Sequence, residues 1–106
     1  MAKYLLKASY TTDGVKGVMK DGGSGRRAAV EETVRGLGGS LESFYFAFGD
    51  TDAYVVVDLP DNATAAAISM VVNAAGGAQV TTVPLMTPEE ADEATKKSVE
   101  YRPPAG

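Results

Sequence analysis

A chain of 106 residues, 44% hydrophobic and 23% charged with a net charge of -4, has the size of one domain with a modest core, and its acidity excludes electrostatic binding to nucleic acid. Cysteine and histidine are both absent, which excludes disulfides, thiol chemistry, and the commonest general base and transition-metal ligand. No apolar run is long enough to span a bilayer and the start "MAKYLLKASY" has no signal-peptide core, so a cytoplasmic location without membrane association is expected.

Residues 3–10, "KYLLKASY", alternate. Tyr4, Leu6, Ala8 and Tyr10 fall on one face and Lys3, Leu5, Lys7 and Ser9 on the other, as in a half-buried strand. Asp13 to Lys20 reads as a short helix weakened by Gly14 and Gly17. Gly22, Gly23 and Gly25 then break the chain. Arg26 to Leu37 is a stronger helix, with Val30, Val34 and Leu37 as its apolar stripe and Gly38–Gly39 as a left-handed stop. In "DGGSGRR", glycines followed by Arg26 and Arg27 raise the question of a phosphate site. The Lys-Ser/Thr pair of a P-loop is missing and no G-x-G-x-x-G follows a strand, so the segment reads as a flexible loop.

Leu41–Phe48 and Ala53–Leu59 read as strands joined by a "GDTD" turn. Pro60 stops the second, and Asp61 is placed to cap a helix over 62–75 carrying Ile68, Val71, Val72 and Ala75. Gln79–Met86 is a further strand, and Pro84 assigns it to a sheet edge or a bulge. Thr87, Pro88 and Glu90 form a helix-start signal with a capping box; the polar helix after it is expected to reach about Val99. The carboxylates of "PEEADE" lack calcium-loop spacing and favour the helix N-terminus electrostatically. Residues 1–100 thus form one domain, followed by a flexible tail over 101–106.

The order strand, helix, strand, strand, helix, strand, helix predicts an α+β fold: a ferredoxin-like βαββαβ sandwich with an extra C-terminal helix. One feature demands more. The strand 53–59 is apolar on both faces, with Ala53, Val55, Val57 and Leu59 on one and Tyr54 and Val56 beside Asp58 on the other. In the strand before it, alternation sets Leu41, Ser43, Tyr45 and Ala47 against Glu42, Phe44, Phe46 and Phe48. Helices cover only one face of the sheet. The other is expected to pack on a second copy of the chain, giving a C2 homodimer, unless the C-terminal helix folds over it. Burying about 600 Å² of apolar surface this way contributes on the order of 15 kcal/mol before the cost of association.

The stretch "FGDTDAYVVVDLPDNATAAA", preceded by "LGGSLESFYFAF", resembles the GYD-domain family, small bacterial proteins named for a Gly-Tyr-Asp element at this turn. "YTTDGVKGVMKDGGSGRRAAVEE" resembles the family's opening segment and "TTVPLMTPEEADEATKKSVEYRPP" the ending of one of its subgroups. The resemblance implies a ferredoxin-like fold that dimerises as an α/β barrel, the architecture of a group of monooxygenases, isomerases and stress-response proteins. It implies no particular activity. Thr51 stands where the family has Tyr before its Asp, and Gln79 where Arg is common.

Three residues are ligand-binding candidates. Tyr10 and Tyr45 either line a pocket between sheet and helices or belong to the core with tethered hydroxyls. Asp52 is either a carboxylate at the mouth of a cleft or a turn cap held by backbone hydrogen bonds. Asp58 is expected at the rim of the paired face or in a cross-strand pair with Lys3 or Lys7. No catalytic residue, metal site or cofactor is assigned. Three functions follow: a homodimeric small-molecule-binding or accessory domain, a cofactor-free monooxygenase- or isomerase-like enzyme, or an assembly module in which the last helix links dimers into higher oligomers. A closed, tyrosine-lined pocket of about 300 Å³ or more favours the first two, and a filled interior favours the third.

Overall fold

A computed structural model describes residues 1–105; Gly106, the end of the expected tail, lies outside the described residues. The elements in chain order are β1 (Ala2–Tyr10), α1 (Thr12–Gly36), β2 (Ser40–Phe46), β3 (Ala53–Leu59), α2 (Asn62–Ala75), β4 (Ala78–Leu85) and α3 (Pro88–Thr95). The sheet is antiparallel with strand order β2-β3-β1-β4. The α+β ferredoxin-like sandwich with an added C-terminal helix is therefore the fold. Helices α1 and α2 lie on one face, over a core of Tyr4, Leu6, Val34, Val55, Val57 and Leu59. Alternation puts the strand residues there, with Tyr4, Leu6 and Ala8 of β1 and Ala53, Val55, Val57 and Leu59 of β3 buried, and helical spacing adds Val34 from α1.

Local signals set the helix ends. Asp61 caps α2 and Gly76 closes it at φ 82°. Thr87 and Glu90 form the capping box of α3 with Pro88 in its first turn. At the end of α1, Gly38 at φ 81° lets its N–H reach Arg35 O and the Gly39 N–H reach Val34 O, a Schellman stop. The buried Tyr4 hydroxyl donates to Asn62 Oδ1 and ties β1 to the start of α2.

The Asp61 carboxylate accepts from Thr64 N at 2.9 Å and Thr64 Oγ at 2.8 Å, and these bonds hold its pKa below the usual carboxylate value. Its contribution to stability is full above the unfolded pKa of about 3.9 and is lost as pH falls through the lower folded value. Asp61→Asn keeps a capping side chain without a titrating one. In urea unfolding the stability advantage of the wild type over Asp61→Asn is expected to shrink as the pH drops below about 4. A constant difference across that range would show that the cap does not titrate with folding.

Four expectations need correction. The segment "GGSGRR" is not a loop: α1 runs through it, and only Gly22 (φ 77°, ψ 164°) leaves helical geometry, kinking the helix into two halves. Gly23 is there for close approach, because a Cβ on it would sit 3.0 Å from the Phe46 ring. Leu37 is not part of the buried stripe; it caps the helix and is exposed. Third, β2 carries a bulge: Leu41 pairs with Val57 but Ser43 pairs with Val56, so the register shifts at Glu42. Simple alternation fails there. Leu41, Phe44 and Phe46 all end on the helix side, whereas Ser43 and Tyr45 face the other way. Finally, α3 stops at Thr95 rather than near Val99, because Val99 finds nothing to pack against and stays exposed.

The far face of the sheet carries Leu5, Tyr54, Val56, Val83 and Leu85, with Tyr45 toward its β2 edge. Lys3 lies among them. Its Nζ is 2.9 Å from Glu42 Oε2 and 3.0 Å from Asp58 Oδ1, and these hydrogen bonds raise its pKa. Helix α3 does not cover this face. None of its residues is buried, and it makes no more than glancing contact with any other element. The radius of gyration is 16.7 Å, against about 13 Å for a compact domain of this length, in keeping with an arm held off the body. The outer edge of β4 is occupied instead by Asn73 of α2, whose Oδ1 accepts from Val80 N at 2.7 Å. No helix among the described residues is long and apolar enough to cross a membrane.

Candidate functional site

Between the sheet and its two helices lies a cavity of about 120 Å³. Its floor comes from β1 and β3 (Leu6, Ala8, Val55), its walls from Phe44, Ile68 and Val72, and its roof from the second half of α1. Arg26, Ala29, Val30, Thr33 and Val34 all line it, at the i, i+3, i+4, i+7, i+8 spacing of one helix face. The kink at Gly22 separates that face from the first half of α1, which lines outer grooves instead.

The cavity adjoins a groove of about 340 Å³ between the first half of α1 and the C-terminal turns of α2. Tyr10, Arg26, Thr33, Val72 and Ala78 border both spaces and so form the neck between them. A second groove, of about 330 Å³, opens on the other side of Tyr10 between α1 and the β2–β3 hairpin, where Phe46, Phe48 and Asp52 lie. The cavity under the helices is thus smaller than the closed pocket of about 300 Å³ expected of a binding site, and the grooves beside it are larger. Tyr10 borders all three.

Asp52 sits next to Tyr10 in a structural role. Its Oδ2 accepts from Tyr10 N at 2.8 Å, its own N–H donates to Ala8 O at 2.8 Å, and its carbonyl accepts from Ala47 N at 2.8 Å. Ser9 Oγ adds a bond to Asp50 O at 2.7 Å. Together these pin the hairpin turn to the end of β1 and fix Tyr10 at the neck. Tyr45 is not part of this arrangement. The β2 bulge turns it to the far face, where it is 70% exposed and pairs across strands with Tyr54. Of the three candidate residues, Tyr10 and Asp52 are brought together and Tyr45 is not.

Arg26 was not among them. It is the sole charged residue lining the cavity among the described residues, and it is half-buried. It makes no hydrogen bond or ion pair among those residues, whereas Lys3 holds two carboxylates and Arg35 lies 3.7 Å from Glu31. Its signal in the sequence is that it continues the stripe of Val30 and Val34 one turn upstream. The sequence already puts Arg26 at the head of that helix, four residues before Val30, but only the structure shows that this side of it faces the cavity.

The fold and site together define a ferredoxin-like α+β domain with an apolar cleft under its helices, one bare sheet face, and a C-terminal arm. Its family profile is that of the GYD domain, which matches residues 4–95, and the chain belongs to the GYD-domain family. No curated protein and no solved structure matches it.

Proposed function

We propose that this protein is a homodimeric small-molecule-binding domain, each protomer holding its ligand in the cleft between sheet and helices. The observation that carries this reading is the apolar cavity with polar groups gathered only at its neck, the pattern of a ligand pocket. Pairing is supported by the far face, where aromatic and branched side chains from all four strands share a surface that α3 leaves bare. A second copy packed face to face covers it, and the side chain of Asn73 at the β4 edge disfavours edge-to-edge pairing there.

An enzymatic role has less support. Asp52 is the carboxylate bonded to Tyr10, its Oδ2 accepting from the Tyr10 N–H, and Asp21 lies across the other groove. No general acid and base converge there. The assembly reading has one observation in its favour, the α3 arm with Met86, Val99 and Tyr101 exposed along it. Native mass spectrometry tests both parts of the proposal. The expected result is a species of twice the 11.0 kDa protomer mass that retains a small organic molecule. A monomer at micromolar concentration overturns the pairing. A dimer that retains nothing and takes up no apolar fragment overturns the binding role.

A further inference from the structure

We infer that the cleft selects an organic carboxylate, an aromatic or branched-chain acid whose hydrocarbon end fills the cavity and whose carboxylate meets Arg26 at the neck. This rests on the reading of the cleft as a ligand pocket and adds the class of ligand. The cavity sets the first half of the description. Apart from Tyr10, Arg26 and Thr33, every residue lining it is apolar. Its volume of about 120 Å³ is close to that of engineered apolar cavities of about 150 Å³ that take up benzene. A six-membered ring or a short branched chain is the matching size. The Thr33 hydroxyl is already used, donating to Ala29 O at 3.1 Å along its own helix.

Arg26 sets the second half. A guanidinium carries five donors and no acceptor, and it meets a carboxylate in a two-pronged contact. Here it stands on the cavity-facing stripe of α1, half out of water, with none of those donors engaged by the described protein. A surface arginine would sit on the opposite side of the helix. Asp21 borders the same outer groove but makes no ion pair with it. Tyr10 lines the same neck, so its hydroxyl is available for a second bond to the ligand head. Long-range attraction does not produce this preference, because the chain as a whole is acidic, with net charge -4. Discrimination between an acid and its neutral amide therefore has to come from the neck.

The test is a titration of the full chain with phenylacetate and 3-methylbutanoate, with their primary amides, and with benzylamine. Binding is followed by calorimetry and by amide chemical shifts of Ala8, Val30 and Val72. The acids are expected to bind about tenfold more tightly than the amides, the value of one charge-assisted contact, and the amine weakest of all. Arg26→Gln should remove the preference, so that acid and amide bind alike, since it deletes the charge without reaching the apolar end. Arg26→Lys should keep part of it, having the charge without the planar fork. Equal binding of acids and amides by the wild type overturns the inference and leaves the pocket standing. So does a preference that survives in Arg26→Gln. If no compound of any charge shifts the cleft residues, the pocket reading falls as well.

Discussion

Replacing Val56 with glutamate is expected to dissociate the proposed dimer into folded monomers. Val56 is half-buried at the middle of the far face, paired with Leu5 on β1 and Ser43 on β2. In a monomer the new carboxylate points to water, and the cost is limited to β-propensity, below about 1 kcal/mol. In a face-to-face pair the two-fold axis places two such charges in the contact. Lys3 offers no relief, being already held by Glu42 and Asp58. An unpaired buried charge costs about 3–5 kcal/mol, so the dissociation constant should rise by about a hundredfold or more. Lys7 lies diagonally across on β1 and is the one cation able to soften this, so Val56→Glu combined with Lys7→Met should weaken the pair further. Sedimentation velocity over a concentration series reads the change. A Val56→Glu protein that sediments as the wild type does would show that the far face is not the contact.

Gly14→Ala is expected to destabilise the fold by about 1–3 kcal/mol, the usual range for forcing an extra group into a packed contact. In an open helix the same change stabilises by up to about 1 kcal/mol. The sign reverses here because a Cβ on Gly14 would collide with Gly77 O. That oxygen cannot retreat freely. It accepts from Thr11 N at 3.1 Å and from Thr11 Oγ at 3.2 Å, so the start of α1 and the turn before β4 hold each other in place. Gly17, three residues further along the same helix, has no heavy atom within 4 Å of its would-be Cβ. Gly17→Ala should therefore be neutral or stabilising. Thermal and urea unfolding of the two variants separates close approach from helix propensity, with a fall of about 4–8 °C in midpoint per kcal/mol for a domain of this size. Equal behaviour of the two would mean the Gly14–Gly77 contact yields easily.

The spans of strand β3 and helix α2 were legible because their signals are local, strict alternation closed by Pro60 and Asp61 and Gly76 bracketing the helix; of the stripe expected on α2, Ile68 and Val72 pack on the core, whereas Val71 and Ala75 stay exposed. Tyr10 and Asp52 were legible as candidates because a strand end and a turn aspartate meet wherever the hairpin returns along β1. Tyr45 was misread, since its orientation depends on the bulge at Glu42, and nothing in "SLESFYF" marks where pairing with β3 slips. Arg26 was weighed with Arg27 for a phosphate at the end of "DGGSGRR" and set aside with that segment as a loop, because glycines at 22, 23 and 25 look alike as breakers and only one of them breaks.

The amino-acid order by itself thus determined the sequence of elements, most of their caps and the surplus of apolar groups on the sheet, which depend on neighbours within a few positions, and the topology followed from that order through the right-handed crossover. Tertiary structure alone decided the phase of β2, the continuity of α1 across Gly23 beneath Phe46, and the departure of α3 from the sheet. Those choices are made by contacts between residues distant in the chain. A single-residue slip or kink costs little locally but reverses which side chains face the cavity.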